Sequence, residues 1–168
     1  MVDSSREEKL LFAKHLERAQ GWLLLENFRE SARSLRNIPP AFRRHPDVAI
    51  VRAQLYMALK DWKRAEPVLR KVLKDDVGDP ERWVNLAFAV RRAKSIAQAE
   101  LILREARLRF PEVAVICFNL ACYAAQQGRI VEVSELLREA IRLDPHFEEP
   151  AKSDPDLAPY WEAERATS

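Results

Sequence analysis

Apolar residues recur along this chain at the three-and-four spacing of helices, and no run alternates with polar residues long enough to make a convincing strand. The clearest stretch is Glu112 to Pro145. Phe118, Ala121 and Ala125 fall at helical spacing, Gly128 breaks the run, and Val133, Leu137, Ala140 and Ile141 restart it before Asp144-Pro145 ends it. The pattern is that of two short antiparallel helices. A hairpin of this size cannot bury its apolar side alone, so it needs neighbours stacked against it.

The chain supplies those neighbours as copies. A shift of thirty-four residues, without any gap, brings Ala19, Ala53, Ala87 and Ala121 into one column and Leu35, Leu69, Leu103 and Leu137 into another. A third column holds Phe28, Trp62, Ile96 and Ile130, and a fourth holds Ser31, Ala65, Ala99 and Val133. Small residues in the first and fourth columns let paired helices approach closely, while leucines and aromatic residues fill the space on either side.

These columns predict helices in order. The first begins near residue 6, where Ser4 and Ser5 precede Glu7 and Glu8 at capping-box spacing, and runs to about Leu25. The second spans Phe28 to about Arg36 and stops before Pro39-Pro40, after which AFRRHP reads as a loop. Helices follow near Asp47–Leu59 and Trp62–Lys74, with Pro67 expected about the first turn of the latter, and then at Trp83–Arg92 and Ile96–Arg109. At a fifth copy the alanine column lands on Pro155, so the repeat ends and one short amphipathic helix from about Asp156 to Ala166 is expected, carrying Leu157, Tyr160 and Trp161 on one face. The expected seat of that helix is the outer side of the last hairpin, over Val133, Leu137 and Ile141; the competing placement is as a plug in a binding groove.

At this point the chain resembles the tetratricopeptide repeat (TPR) family. The matching residues are Trp83, Leu86, Ala87, Ala99 and Pro111 in the third copy, and Leu120, Ala121, Gly128, Ala140 and Pro145 in the fourth. Arg18 and Arg52 stand where the family has a first-helix leucine, and Glu26 and Lys60 where it has the turn glycine. The tail AKSDPDL is similar to the ends of some bacterial TPR arrays. The resemblance implies an all-α, TPR-like helical-hairpin solenoid. Its four 34-residue repeats fall at about 12–45, 46–79, 80–113 and 114–147 within residues 1–147, with a C-terminal loop and capping helix at 148–168.

Composition supports helix: three glycines in 168 residues, with 48% apolar residues. Neither an amino-terminal apolar segment nor a window approaching eighteen apolar residues is present, so a cytoplasmic protein without a membrane partner is expected. Cys117 and Cys122 are five apart, on different faces of one helix, and read as small buried fillers. The chain shows no Ser/His/Asp arrangement, Gly-rich phosphate loop, HExxH or CxxC spacing, so neither enzyme activity nor a cofactor is expected.

The resemblance instead implies a concave surface built from the first helix of each hairpin. Its columns hold Leu16, Ile50, Val84 and Phe118; Gln20, Gln54, Phe88 and Cys122; and Leu23, Met57, Arg91 and Ala125, with Asn85 and Asn119 beside them. TPR proteins that clamp a chaperone's terminal carboxylate carry Lys and Asn in the first two columns, so that clamp does not carry over. The expectation is a non-catalytic scaffold that takes a peptide or partner protein in an apolar slot studded with amides. The alternatives are a chaperone for a secreted or assembling partner and an RNA-associated helical repeat. Charge is uneven: residues 1–111 hold 23 Lys/Arg against 15 Asp/Glu, and 112–168 hold 5 against 11. The basic clusters Arg43-Arg44 and Arg91, Arg92, Lys94 sit at helix ends or loops, which argues against nucleic acid. The opposite balances predict a monomer or weak self-association.

Overall fold

The computed structural model describes the backbone of residues 2–167 and the side chains of residues 5–166. Among the described residues there is no strand. The chain divides into two compact units, Met1–Val77 and Gly78–Ser168. Each contains two antiparallel helical hairpins.

The first unit pairs α1 (Val2–Leu24) with α2 (Phe28–Arg36) and α3 (Pro46–Ala58) with α4 (Trp62–Asp75), and α3 packs against both α1 and α2. Its core gathers Ala19, Leu35, Ile38, Val48, Val51 and Leu55, with Phe12, Leu16, Leu23, Phe28, Ala32 and Phe42 packed around them. Ser31 occupies a column otherwise filled by Ala or Val, and its buried hydroxyl donates to the Ala19 carbonyl at 2.9 Å, so a polar atom is satisfied where the two helices touch. Three expectations change here. Ser4 and Ser5 lie inside α1, so a capping box does not start it; the Ser4 side chain lies outside the described residues. The supposed loop after Pro39 holds a 3-10 turn, Pro40–Phe42, whose Phe42 ring stacks on Phe12 at 4.7 Å and so anchors the long first helix. Pro67 is the sixth residue of α4, beyond the first turn, where the missing N–H removes a bond to the Lys63 carbonyl.

The second unit pairs α5 (Pro80–Ala93) with α6 (Ile96–Arg109) and α7 (Ala114–Gln126) with α8 (Ile130–Leu143), and α6 packs on α7. The tail is a 3-10 turn at Pro145–Phe147, α9 (Glu148–Ser153), a second 3-10 turn at Pro155–Leu157 and α10 (Ala158–Thr167), one helix more than expected. Between the two hairpins the buried Glu100 carboxylate accepts from Gln127 Nε2 and Arg129 Nη2, both at 2.8 Å, and from Arg104. Burial alone would raise this carboxyl, but these bonds together hold it below its usual range. Arg107 pairs with Glu139 at the same junction.

The repeat is visible at atomic scale. The alanine column, the leucine column and the Ser31/Ala65/Ala99/Val133 column are buried in all four hairpins. Asn27, Asp61 and Ser95, again thirty-four apart, cap α2, α4 and α6 by accepting the amide three residues on. The turn before each cap is left-handed at Glu26 (φ 55°), Lys60 (φ 56°) and Gly128 (φ 73°). Lys94 in the same column is at φ −134°, so the third hairpin turns differently.

Candidate peptide-binding groove

In the first unit, the candidate residues recur on one face of α1 and of α3, which lie against each other. Gln20 and Gln54 are exposed, and Leu16, Leu23, Ile50 and Met57 are half-buried. Leu16 and Leu23 also pack on the core, so part of this stripe serves the hairpins themselves.

In the second unit the matching face of α5 and α7 is arranged otherwise. Val84, Asn85 and Phe88 are half-buried, and Phe88 lies beneath the Arg92 guanidinium at 5.2 Å. Asn85 and Asn119 donate to Glu81 and to the Val115 carbonyl in their own helices. Arg91, Phe118 and Cys122 are covered by the tail. Arg91 binds Asp156 through both guanidinium nitrogens, at 2.5 and 2.6 Å, while facing the Tyr123 ring at 5.2 Å. Phe147 packs on Phe118 with ring centres 4.9 Å apart, and Gln126 Nε2 donates to the main-chain carbonyl of Asp156 at 2.9 Å.

The tail is therefore not confined to the outer side of α8 over Val133, Leu137 and Ile141. Its second 3-10 turn rests on α7, and α10 meets both α7 and α8. The physical reason is the guanidinium of Arg91, which is only 14% exposed and needs a carboxylate beside it. Its bonds to Arg91 are the main cause that holds Asp156 below the usual carboxylate range, and Asp156 in turn raises Arg91. Burial, with Asp154 and Asp156 adding to it, pushes the Cys122 thiol up to about 12; burial also pushes the Tyr123 hydroxyl up to about 12.

Cys122 Sγ and carboxylate oxygens of Asp154 and Asp156 lie within 4.8 Å of one another. Such a trio is a metal-ligating set in kind, but both Asp156 oxygens are taken by Arg91, and Asp154 Oδ1 accepts the Asp156 amide at 2.8 Å. With the Cys122 thiol protonated beside them, the two carboxylates work as a hydrogen-bonded clasp.

Asp156 and Phe147 were not legible as site residues, but α7 carried a signal. Its sequence AVICFNLACYAAQ is apolar all round, and a helix of that kind must be covered on every side.

Residues 46–89 match the family model described as tetratricopeptide repeat. The chain carries the TPR fold. Solved structures agree over most of its length. A crystal structure of MamA protein superposes with a TM-score of 0.72 at 15% identity, over 92% of this chain and 87% of that one. MamA from Desulfovibrio magneticus RS-1 gives 0.70 at 19% identity, over 94% and 97%. Pseudomonas aeruginosa PilF gives 0.66 at 17% identity, over 93% and 74%. At these identities the likeness is one of fold. No sequence among the curated proteins matches the chain significantly. TPR proteins are in general non-catalytic scaffolds that bind protein partners, and among the described residues no helix is long and apolar enough to cross a membrane.

Proposed function

We propose that this TPR protein holds a partner's peptide on the first helices of its hairpins, on the α1–α3 face of the first unit and the α5–α7 face of the second. The observation that carries the reading is the mixed character of the first of these faces. Ile50 and Met57 stand half-exposed beside the exposed amides of Gln20 and Gln54, which combines apolar anchors with groups able to bond a peptide backbone.

The test is a comparison of capture. Met57→Asp combined with Phe88→Asp is expected to abolish retention of partners from the native host while helix content by circular dichroism stays unchanged. Leu108→Asp, at an 86% exposed position on α6, is expected to retain them. Loss of helicity in the double variant, or equal capture by all three chains, overturns the reading.

A further inference from the structure

We propose that the α5–α7 face of the second unit is a receptor for an acidic peptide, an aspartate followed by leucine with an aromatic residue on its amino-terminal side, and that residues 147–157 are its resident occupant, displaced by a partner of the same chemistry. This deepens the preceding reading and rests on it only in taking the face as a peptide receptor.

The contacts divide as they do in a peptide complex. A forked guanidinium holds a carboxylate, the Gln126 amide reads a main-chain carbonyl, the Phe118 ring receives an aromatic side chain, and Leu157 is an apolar anchor with no exposed surface. The occupant is weakly organised in itself. Between residues 145 and 157 it has two 3-10 turns and a six-residue helix, with prolines at 145, 150 and 155. Its own ties include the Asp154–Asp156 turn and the bond from Trp161 Nε1 to the Ala151 carbonyl at 2.7 Å. Short segments of this kind open locally at lower free energy than paired helices.

The face also dictates what replaces the tail. Departure of Asp156 leaves a half-buried cation against Tyr123, and Cys122 and Phe118 uncovered on a helix that is apolar all round. A purely apolar ligand leaves the cation unpaired, and a purely acidic one leaves the apolar surface wet. The segment that satisfies both must carry an acid next to an apolar residue, as Asp156-Leu157 does.

The probe is a fluorescein-labelled peptide of residues 144–161 of this chain, followed by anisotropy against the full-length protein. Asp156→Asn with Leu157→Ser loosens the resident tail, so this variant is expected to bind the probe about 10- to 100-fold more tightly than the wild-type chain, whose closed fraction lowers apparent affinity. Adding Arg91→Ala is expected to remove about the same factor, the worth of charge-assisted bonds. A probe carrying Asp156→Asn, or one of scrambled sequence and equal charge, is expected to lose the gain. Equal binding by the wild-type and loosened chains overturns the proposal, as does indifference to Arg91→Ala or to scrambling. If the double variant loses helix content, Asp156→Asn alone takes its place; loss of helix content there too makes the tail core structure and ends the proposal. No outside partner enters this assay, so its failure leaves the capture experiment standing.

Discussion

Asp156 answers to pH in one direction only. Bonding to Arg91 lowers its carboxyl from the ordinary 3.8, so the stabilisation of the tail is complete above about pH 4 and is lost as the pH falls through the lowered value. Cys122 reports on the same event. The covered thiol, pushed up to about 12, reacts slowly at neutral pH, whereas a released tail takes away both its burial and the two neighbouring carboxylates. At pH 7, Asp156→Asn is expected to speed alkylation of Cys122 by about tenfold or more, the worth of the lost charge-assisted bonds. Cys117 is the internal control, because the charges around it are Glu139, Arg107 and Arg142 instead of the tail acids. In the wild-type chain a dipyridyl disulfide, which reacts in acid, should find Cys122 below pH 4 before Cys117. Mass spectrometry of the labelled peptides separates the two sites. Equal rates at both sites, or no effect of Asp156→Asn, would show that the clasp does not shield Cys122.

The hairpin turn is where the repeat departs from its own rule. Gly128 adopts a left-handed backbone without a side-chain penalty, but Glu26 and Lys60 hold the same conformation with a Cβ, at a cost of about 1 to 2 kcal/mol each. Glycine loses more chain entropy on folding, so Glu26→Gly and Lys60→Gly are each expected to gain about 0.5 to 1 kcal/mol in urea unfolding. Lys94→Gly is expected to gain nothing from this source, because Lys94 is not left-handed. A gain at Lys94 equal to the others would mean that turn strain is not the cause. The periodic part of this design was open to sequence reading because alanine, leucine and turn residues recur every thirty-four positions and each does local work. The cap column Asn27, Asp61 and Ser95 is legible in the same way. What periodicity hides is any contact made once. Pro155 on the alanine column tells where the repeat stops, but the next step depends on Arg91 meeting an acid 65 residues away. Arg91 read as an open groove residue because its partner lies outside the period.

For the molecule as a whole, the uneven charge remains. A net charge of +2 gives copies little collective repulsion, while residues 1–111 carry 23 cationic against 15 anionic side chains and 112–168 carry 5 against 11. Arg91–Asp156, Arg104–Glu132 and Arg107–Glu139 each neutralise a pair across that boundary inside a single chain, and the rest of the imbalance is left for other molecules. Contact between the basic part of one copy and the acidic part of another is permitted by these opposite balances, and it grows with concentration. Exposed charges interact over about 30 Å at 0.01 M ionic strength but only about 8 Å at 0.15 M. Light scattering at 0.01 M salt is therefore expected to give a mass above 19.5 kDa that rises with concentration, and at 0.15 M salt the mass of the single chain. If apolar surface such as Leu101 and Leu108 on α6 drove association instead, salt would leave the mass unchanged or raise it. One mass at every ionic strength would show that the charge asymmetry does not bring copies together.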